Sequence, residues 1–216
     1  MINPVNPKLG KSLSAFDMAH NFVASFVYEL PFEKFLPANR ATRGWKLTGI
    51  TRFHTGLPVF IAEQDDHSLL GTGSTGPTGS GADEPNFTPG PLRFTDPRKE
   101  NLTNPAGPQA TYFNTLLFSG GDLGQLGTSN RRFFHGPGIS NWELGFFKEI
   151  QLTESKKLQF RGEFFSVFNH AQFGNPDGDY NNCGPDATTG LCTGTFGLVT
   201  GAGGERIGQV AIKLYF

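Results

Sequence analysis

The chain of 216 residues carries a net charge of −1, from 18 basic and 19 acidic side chains, and contains 22 phenylalanines, 29 glycines and 15 prolines. The balanced charge excludes the basic surface that nucleic-acid binding requires. So many aromatic residues exclude a disordered chain, and the lack of any apolar run of about 18 residues excludes a transmembrane helix. The glycines and prolines predict many turns and loops.

The first predicted strand spans residues 20–31, after an N-terminal segment that lacks the apolar core of a signal peptide. Such a start is expected of a cytosolic protein or of a fragment that has lost its beginning. Phe22, Phe26 and Tyr28 share one parity in this strand, so their side chains point to one face. A second strand is predicted over 45–61, and a glycine and a proline near its end predict that the ladder bends or stops there.

The clearest pattern is a long antiparallel hairpin, with strands over 141–152 and 157–170 joined by a short polar turn. Its apolar face carries Trp142, Leu144, Phe146, Ile150, Leu158, Phe160 and Phe164. Its opposite face carries Glu143, Arg161 and Glu163. Each arm has about a dozen residues, beyond the usual strand of about 5–6 and enough for a tilted membrane-spanning strand of about 9–11. The hairpin therefore predicts the wall of an outer-membrane barrel.

A fifth strand is predicted over 206–216, where apolar residues alternate with polar ones. Long loops over 63–140 and 174–205 precede the third and the fifth strand, whereas the other two connections are short. Outer-membrane barrels have the same alternation of short periplasmic turns and long extracellular loops. The predicted fold is all-β, an antiparallel meander of about five long strands that forms part of a transmembrane β-barrel, with the long loops at one end.

Four stretches cover nearly all of these strands: HNFVASFVYELPF (20–32), GWKLTGITRFHTGLPV (44–59), RRFFHGPGISNWELGFFKEIQLTESKKLQFRGEFFSVFNHAQFGNP (131–176) and GQVAIKLYF (208–216). They resemble the C-terminal barrel segment of TonB-dependent outer-membrane receptors. More narrowly they resemble the Oar-like group, whose N-terminus carries a carboxypeptidase-regulatory-like domain. The resemblance implies a place in the cell outer membrane and energy-coupled nutrient uptake by a longer parent with a barrel of about 22 strands.

The same resemblance implies roles and partners for particular residues. The terminal strand looks like the signal that the barrel assembly machinery recognises, formed by Val210, Ile212, Leu214 and Phe216. Glu143, Arg161 and Glu163 are candidate lumen-facing residues. Lipid of the outer membrane would contact the apolar face, while the TonB complex and the plug domain would act only through the missing N-terminal part. Because five strands cannot close such a barrel, the chain is expected to be a C-terminal fragment.

A soluble extracellular β-sandwich, such as a carbohydrate-binding or adhesion module, is the alternative interpretation, because alternating strands and long loops fit it too. The sandwich would bury the aromatic face in a core. The barrel would instead place aromatic residues near its strand ends, in a girdle at the membrane interface. The candidates for that girdle are Tyr28, Trp45, Trp142 and Tyr215.

No catalytic pattern occurs, so neither an enzyme nor a cofactor is predicted: there is no G-x-S-x-G elbow and no P-loop. GTGSTG (71–76) resembles a dinucleotide-binding loop, but no strand precedes it and a proline follows. The five histidines have no metal-type spacing. Two acidic groups could touch a cation, although solvated loop charge is the simpler interpretation: Asp65 and Asp66 with His67, and Asp177 with Asp179.

The two cysteines, Cys183 and Cys192, lie nine positions apart in the second long loop. This spacing excludes a CxxC metal or redox pair. A disulfide that closes this loop and two free thiols both remain open.

Overall fold

The computed structural model describes residues 8, 10–71, 83–99 and 111–216. Most of the dinucleotide-like motif, 72–76, and parts of the first long loop, 72–82 and 100–110, lie outside the described residues. The chain divides into two compact units. We call them the sheet unit, residues 20–54, 139–172 and 203–216, and the loop unit, residues 1–19, 55–138 and 173–202.

All regular structure in the described residues is β-strand or short 3-10 helix. The strands are β1 (Asn21–Glu29), β2 (Trp45–His54), β3 (Asn86–Phe87), β4 (Phe118–Ser119), β5 (Ile139–Gln151), β6 (Lys157–Phe165), β7 (Gln172–Phe173), β8 (Ala202–Gly203) and β9 (Ile207–Tyr215). The 3-10 helices are Phe32–Lys34, Pro97–Lys99, Thr115–Leu117 and Tyr180–Asn182. No helix in the described part of the chain is long and apolar enough to span a bilayer.

The five long strands form one antiparallel sheet in the order β1-β2-β5-β6-β9. Each long strand therefore pairs with the next long strand along the chain, which confirms the predicted all-β meander. The sheet is open, because β1 and β9 are its two edges. The short connections β1–β2 and β5–β6 leave the sheet at one end, and the long connections β2–β5 and β6–β9 leave it at the other.

The second strand is shorter than predicted. The expected range was 45–61, but β2 ends at His54. Val59 and Ile61 have no exposed surface and belong to the core of the loop unit. Their apolar side chains extend the sequence pattern beyond the sheet, because a buried loop residue and a buried strand residue look alike in a single sequence.

The fourth strand is also shorter than the predicted range 157–170. It ends at Phe165 because the next residue, Ser166, has a φ of 47°, and Asn169 has a φ of 51°. Both values lie in the left-handed region, which a strand cannot adopt. Further along, the side-chain amide of Gln172 replaces a strand partner: it accepts from the peptide N–H of Ser140 at 3.1 Å and donates to its carbonyl at 2.7 Å.

The loop unit has a hydrophobic core of its own, although periodicity predicted only irregular loops there. Its most buried aromatic residues meet edge to face: the rings of Phe113 and Phe196 are 5.3 Å apart, and those of Phe113 and Phe134 are 5.1 Å apart. Such ring geometry adds stabilisation beyond the buried area. The full core comprises Val59, Ile61, Tyr112, Phe113, Phe118, Phe134, Cys183, Cys192, Phe196 and Val199.

Candidate functional site: the two faces of the sheet

Strand register gives the sheet one apolar face and one face that carries most of the charged side chains together with some apolar ones. Residues directly opposite one another in an antiparallel pair lie on the same face. Ile150 pairs with Leu158, which in turn pairs with Leu214, and Phe146 pairs with Leu47. The apolar face predicted from the hairpin alone thus continues over the whole sheet unit. The opposite face, here called the polar face, includes Glu29, Lys46, Glu143, Glu149, Lys157, Arg161, Glu163 and Lys213.

Alternating charges connect the strands on the polar face near the short turns. The ammonium of Lys46 lies 3.6 Å from a carboxylate oxygen of Glu29 and 3.9 Å from one of Glu149. Lys157 approaches Glu149 from the other side at 3.6 Å. Cross-strand pairs of opposite charge stabilise a sheet modestly, and a chain of them tolerates water on its outer side. The face is therefore suited to an aqueous surface.

The network continues towards the last strand. Gln159 donates to Glu149 at 2.8 Å, and its own carbonyl oxygen accepts from Arg161 Nε at 2.7 Å and from the Tyr215 hydroxyl at 3.2 Å. The guanidinium of Arg161 also lies over the ring of Phe147, 5.0 Å from the ring centroid. Phe147 is apolar on a polar face because it forms a platform for this cation. Tyr215 was a candidate for the membrane girdle; that prediction is wrong, since its hydroxyl joins the polar network.

A groove of about 340 Å³ opens around Gly145 in the half of the sheet nearer the long connections. Thr48, Glu143 and Glu163 contribute polar side chains to its lining, and Val27, Ile50 and Phe165 contribute an apolar part. A Cβ atom at position 145 would lie 2.7 Å from the Thr48 hydroxyl, so a larger residue there would fill part of the groove and collide with Thr48. The groove can receive a side chain or a loop that carries positive charge, because two carboxylates line it.

The apolar face is largely uncovered in the sheet unit. Val210, Ile212 and Phe216 are 89%, 67% and 92% exposed. Four aromatic rings cross this face at its long-loop end, where Phe53 lies 6.3 Å from Phe22 and 5.9 Å from Trp142, and Trp142 lies 5.9 Å from Phe168. Tyr28 and Trp45 occupy its other end. An exposed apolar area of this extent marks a surface that meets a partner or a membrane.

Lys148 is a charged residue on this otherwise apolar face, opposite Trp45. Its side chain is almost fully buried, and its ammonium lies 5.3 Å from the centre of the Trp45 ring. The ammonium donates to the backbone carbonyls of Arg40, at 2.7 Å, and of Arg43. A long lysine stem can cover apolar surface while its charge reaches polar groups at the edge. Lys148 thus leaves the apolar character of the face intact.

Comparison with known families decides the identity of this sheet. Residues 1–209 match the family model described as an outer membrane beta barrel domain. The chain belongs to this outer-membrane β-barrel family. No curated protein and no solved structure matches the chain at a significant level. The family places the protein in the outer membrane, as predicted, and the soluble sandwich module is not supported.

In an outer-membrane barrel the apolar band faces lipid and is about 25 Å tall between aromatic girdles. Phe53 follows Trp45 by eight residues in β2, which corresponds to about 26 Å along a strand. A tilt of about 35–45° reduces the height to roughly 20 Å. The two aromatic rows of the apolar face are thus separated by a height of roughly 20 Å, somewhat less than the full band. Trp45, Trp142 and Tyr28 lie in these rows, and Phe22, Phe53 and Phe168 are members that the sequence pattern had not singled out.

The structure joins Cys183 and Cys192 in a disulfide, with their Cα atoms 4.5 Å apart. Both cysteines are buried against the aromatic core of the loop unit. Of the two possibilities left open by the spacing, the bonded pair is therefore the one present. An oxidising compartment is where such bonds persist, which agrees with the cell envelope.

The acidic loop residues mostly bind neighbouring peptide groups and side chains. Asp66 accepts from the peptide N–H groups of Leu70 and Gly71, at 3.0 and 2.9 Å. Asp177 accepts from the Thr195 hydroxyl at 2.6 Å, and Asp179 accepts from the side-chain amide of Gln64. These hydrogen bonds show that the carboxylates stabilise the loops by accepting from nearby donors.

The structure changes the membership of the predicted group of Asp65, Asp66 and His67, because Glu63 takes the place of Asp66. Ligand atoms of Glu63, Asp65 and His67 lie within 4.8 Å of one another. Glu63 is buried, accepts from the Gly121 peptide N–H at 2.9 Å and lies 3.1 Å from His67 Nδ1. Burial raises the pKa of the Glu63 carboxyl above its usual value. Asp65 and His67 were candidates from the sequence, and only Glu63 was not.

Proposed function

We propose that the chain forms part of the wall of a TonB-dependent receptor and contributes to energy-coupled nutrient uptake by a longer parent protein. The four stretches that resemble this receptor class support the proposal, and they coincide with β1, β2, the β5–β6 hairpin and β9. The alternation of short and long connections agrees with short periplasmic turns and long extracellular loops. The chain acts as structure and surface in this proposal, with no catalytic role and no cofactor.

The observation that carries the proposal is the polar face. A charged network that spans five strands on the face opposite the lipid surface is what a water-filled transport lumen requires. Glu143, Arg161 and Glu163 then face the lumen. In this proposal the groove beside Glu143 and Glu163 is a docking position for a basic segment of the parent's plug domain.

The proposed partners follow from the same arrangement. The plug and the TonB complex reach this chain through the N-terminal part of the parent. The barrel assembly machinery would recognise β9, whose Val210, Ile212 and Leu214 share the apolar face and lie at an edge of the sheet, together with the exposed Phe216 that follows it. An edge strand has unpaired peptide groups that another protein can bind by strand addition.

Uptake by intact cells tests the function. Deleting the parent gene should abolish energy-dependent import of one nutrient, and deleting the TonB protein in the same cells should cause no further loss. Import that persists without TonB, or that resists a collapse of the inner-membrane proton gradient, would overturn the assignment. A matched control is a parent protein with Glu154→Gln, a change in the exposed β5–β6 turn that should leave uptake unchanged.

A further inference from the structure

The connection between β1 and β2, residues 30–44, folds over the edge of the apolar face. The indole N–H of Trp45 donates to the carbonyl of Ala41 at 2.7 Å, and the ring of Phe32 meets the Trp45 ring edge to face at 6.0 Å. The ammonium of Lys148 binds the carbonyl of Arg40 at 2.7 Å, next to its bond with Arg43. Trp45 and Lys148 both belong to the apolar face. The connection therefore adjoins the lipid surface of the wall.

Local hydrogen bonds hold this connection in one conformation. The side-chain oxygen of Asn39 accepts from the peptide N–H groups of Ala41, at 2.8 Å, and Thr42, at 3.1 Å. The Thr42 hydroxyl donates to the carbonyl of Pro37 at 2.9 Å. A segment that is ordered before binding loses little conformational entropy on contact with a partner. The side chains displayed by the connection are thus already in place.

Those side chains combine apolar groups with cations. Phe35 is 81% exposed and Leu36 is 54% exposed, although water disfavours both. Lys34, Arg40 and Arg43 supply three positive charges against one negative charge from Glu33, which lies 3.1 Å from Arg43. Adjacent apolar and basic groups are characteristic of segments that lie in the interface of a bilayer with anionic lipid.

We propose that residues 32–43 form an anchor in the phospholipid leaflet at the short-turn end of the wall. Phe35 and Leu36 enter the boundary between headgroups and acyl chains, and Lys34 and Arg40 contact lipid phosphates. A lipid partner is favoured over a protein because the connection continues the lipid face through Trp45 and Lys148, and because its net charge complements anionic headgroups. The β5–β6 turn at the same end, residues 153–156, has only polar side chains and provides an internal control.

The depth of a fluorescent label tests the anchor. Because the two native cysteines form a disulfide, an added cysteine is a free thiol that can carry a polarity-sensitive dye. The dye is attached to the full chain at Phe35→Cys, Glu154→Cys or Phe146→Cys, in vesicles of phosphatidylcholine with or without phosphatidylglycerol. At position 35 we expect blue-shifted emission and quenching by lipids labelled near the headgroup, and at position 154 water-like emission. Position 146 marks the apolar face and should be quenched by lipids labelled deeper in the acyl chains.

Charge variants test the headgroup contact. Arg40→Gln removes the charge but keeps the backbone carbonyl that accepts from Lys148. It should lower the preference for phosphatidylglycerol vesicles about fivefold, the usual effect of one basic residue at an anionic surface. Arg206→Gln, which changes an exposed arginine outside the connection, should leave this preference unchanged. Water-like emission at position 35 equal to that at position 154 would overturn the anchor. A water-exposed label at position 146 would overturn it as well, by removing the lipid face on which it depends.

Discussion

Removing the Cys183–Cys192 disulfide should selectively weaken the loop unit. The bond closes a loop of roughly ten residues, since the two cysteines are nine positions apart. In the chain-entropy account, a loop of that size contributes about 2.7 kcal/mol to the free energy of unfolding at 25 °C. Both cysteines pack in the same core as Phe113 and Phe196, so the loss of stability should affect the loop unit that contains this core.

Hydrogen exchange measures this loss for each unit separately. In the double variant Cys183→Ala/Cys192→Ala, amides that exchange only when the loop unit opens should exchange about a hundredfold faster. About 1.4 kcal/mol corresponds to a factor of ten, so a loss of about 2.7 kcal/mol corresponds to about a hundred. Amides of the sheet unit, such as that of Phe160, should keep their rates. Reduction of the unmodified chain with a thiol reagent is the matched control, since it opens the loop without changing the volume of either side chain.

Two results would refute the reasoning. A change of less than about threefold in the loop unit would mean that loop closure contributes little to its stability. Equal acceleration in the sheet unit would mean that the two units open together, contrary to a loop unit with a hydrophobic core of its own.

Three further predictions concern the loop unit and the faces of the sheet. Burial, followed by the charge of Asp83, raises the pKa of Glu84 to about 7, while its ion pair with Arg131 acts in the opposite direction. With the raised pKa, the loop unit should become less stable as pH rises from about 4.5 through 7. Glu84→Gln should flatten that slope in denaturation curves, and a stability that instead rises with pH would show that the ion pair dominates. A cysteine at Arg161 should react with a water-soluble reagent in the membrane-inserted protein and one at Phe160 with a lipid-soluble reagent; the reverse pattern would invert the assignment of the faces. Phe113→Ala should cost the loop unit about 3–5 kcal/mol in denaturation, as for other buried aromatics, and a loss below about 1 kcal/mol would contradict the core position.

Much of the candidate site was predictable because a strand has a strict period of two. Once Phe160 was assigned to the apolar face, Arg161 had to lie on the other face, and the observed register agrees. The platform under Arg161 was not predictable. Phe147 contradicts the polar parity in sequence, and only the cross-strand pairing of these two residues explains it.

The strand ends and the loops were less accessible to sequence reasoning. The left-handed backbone at Ser166 ends β6, and the residue type does not predict this conformation because serine rarely adopts it. The core around Phe113 joins residues from two separate segments of the chain, 55–138 and 173–202, and most of them belong to no periodic stretch. Side chains without a common period converge only when the whole unit folds, which is why periodicity predicted irregular loops there.

The sequence by itself determined the five strands, their order as a meander and the division into an apolar and a polar face, because alternation and short turns act locally. Tertiary structure decided where the strands stop, that the long loops share an aromatic core, and that the β1–β2 connection folds onto the apolar face through Trp45 and Lys148. These features depend on contacts between residues far apart in the chain. A local sequence pattern does not show such contacts.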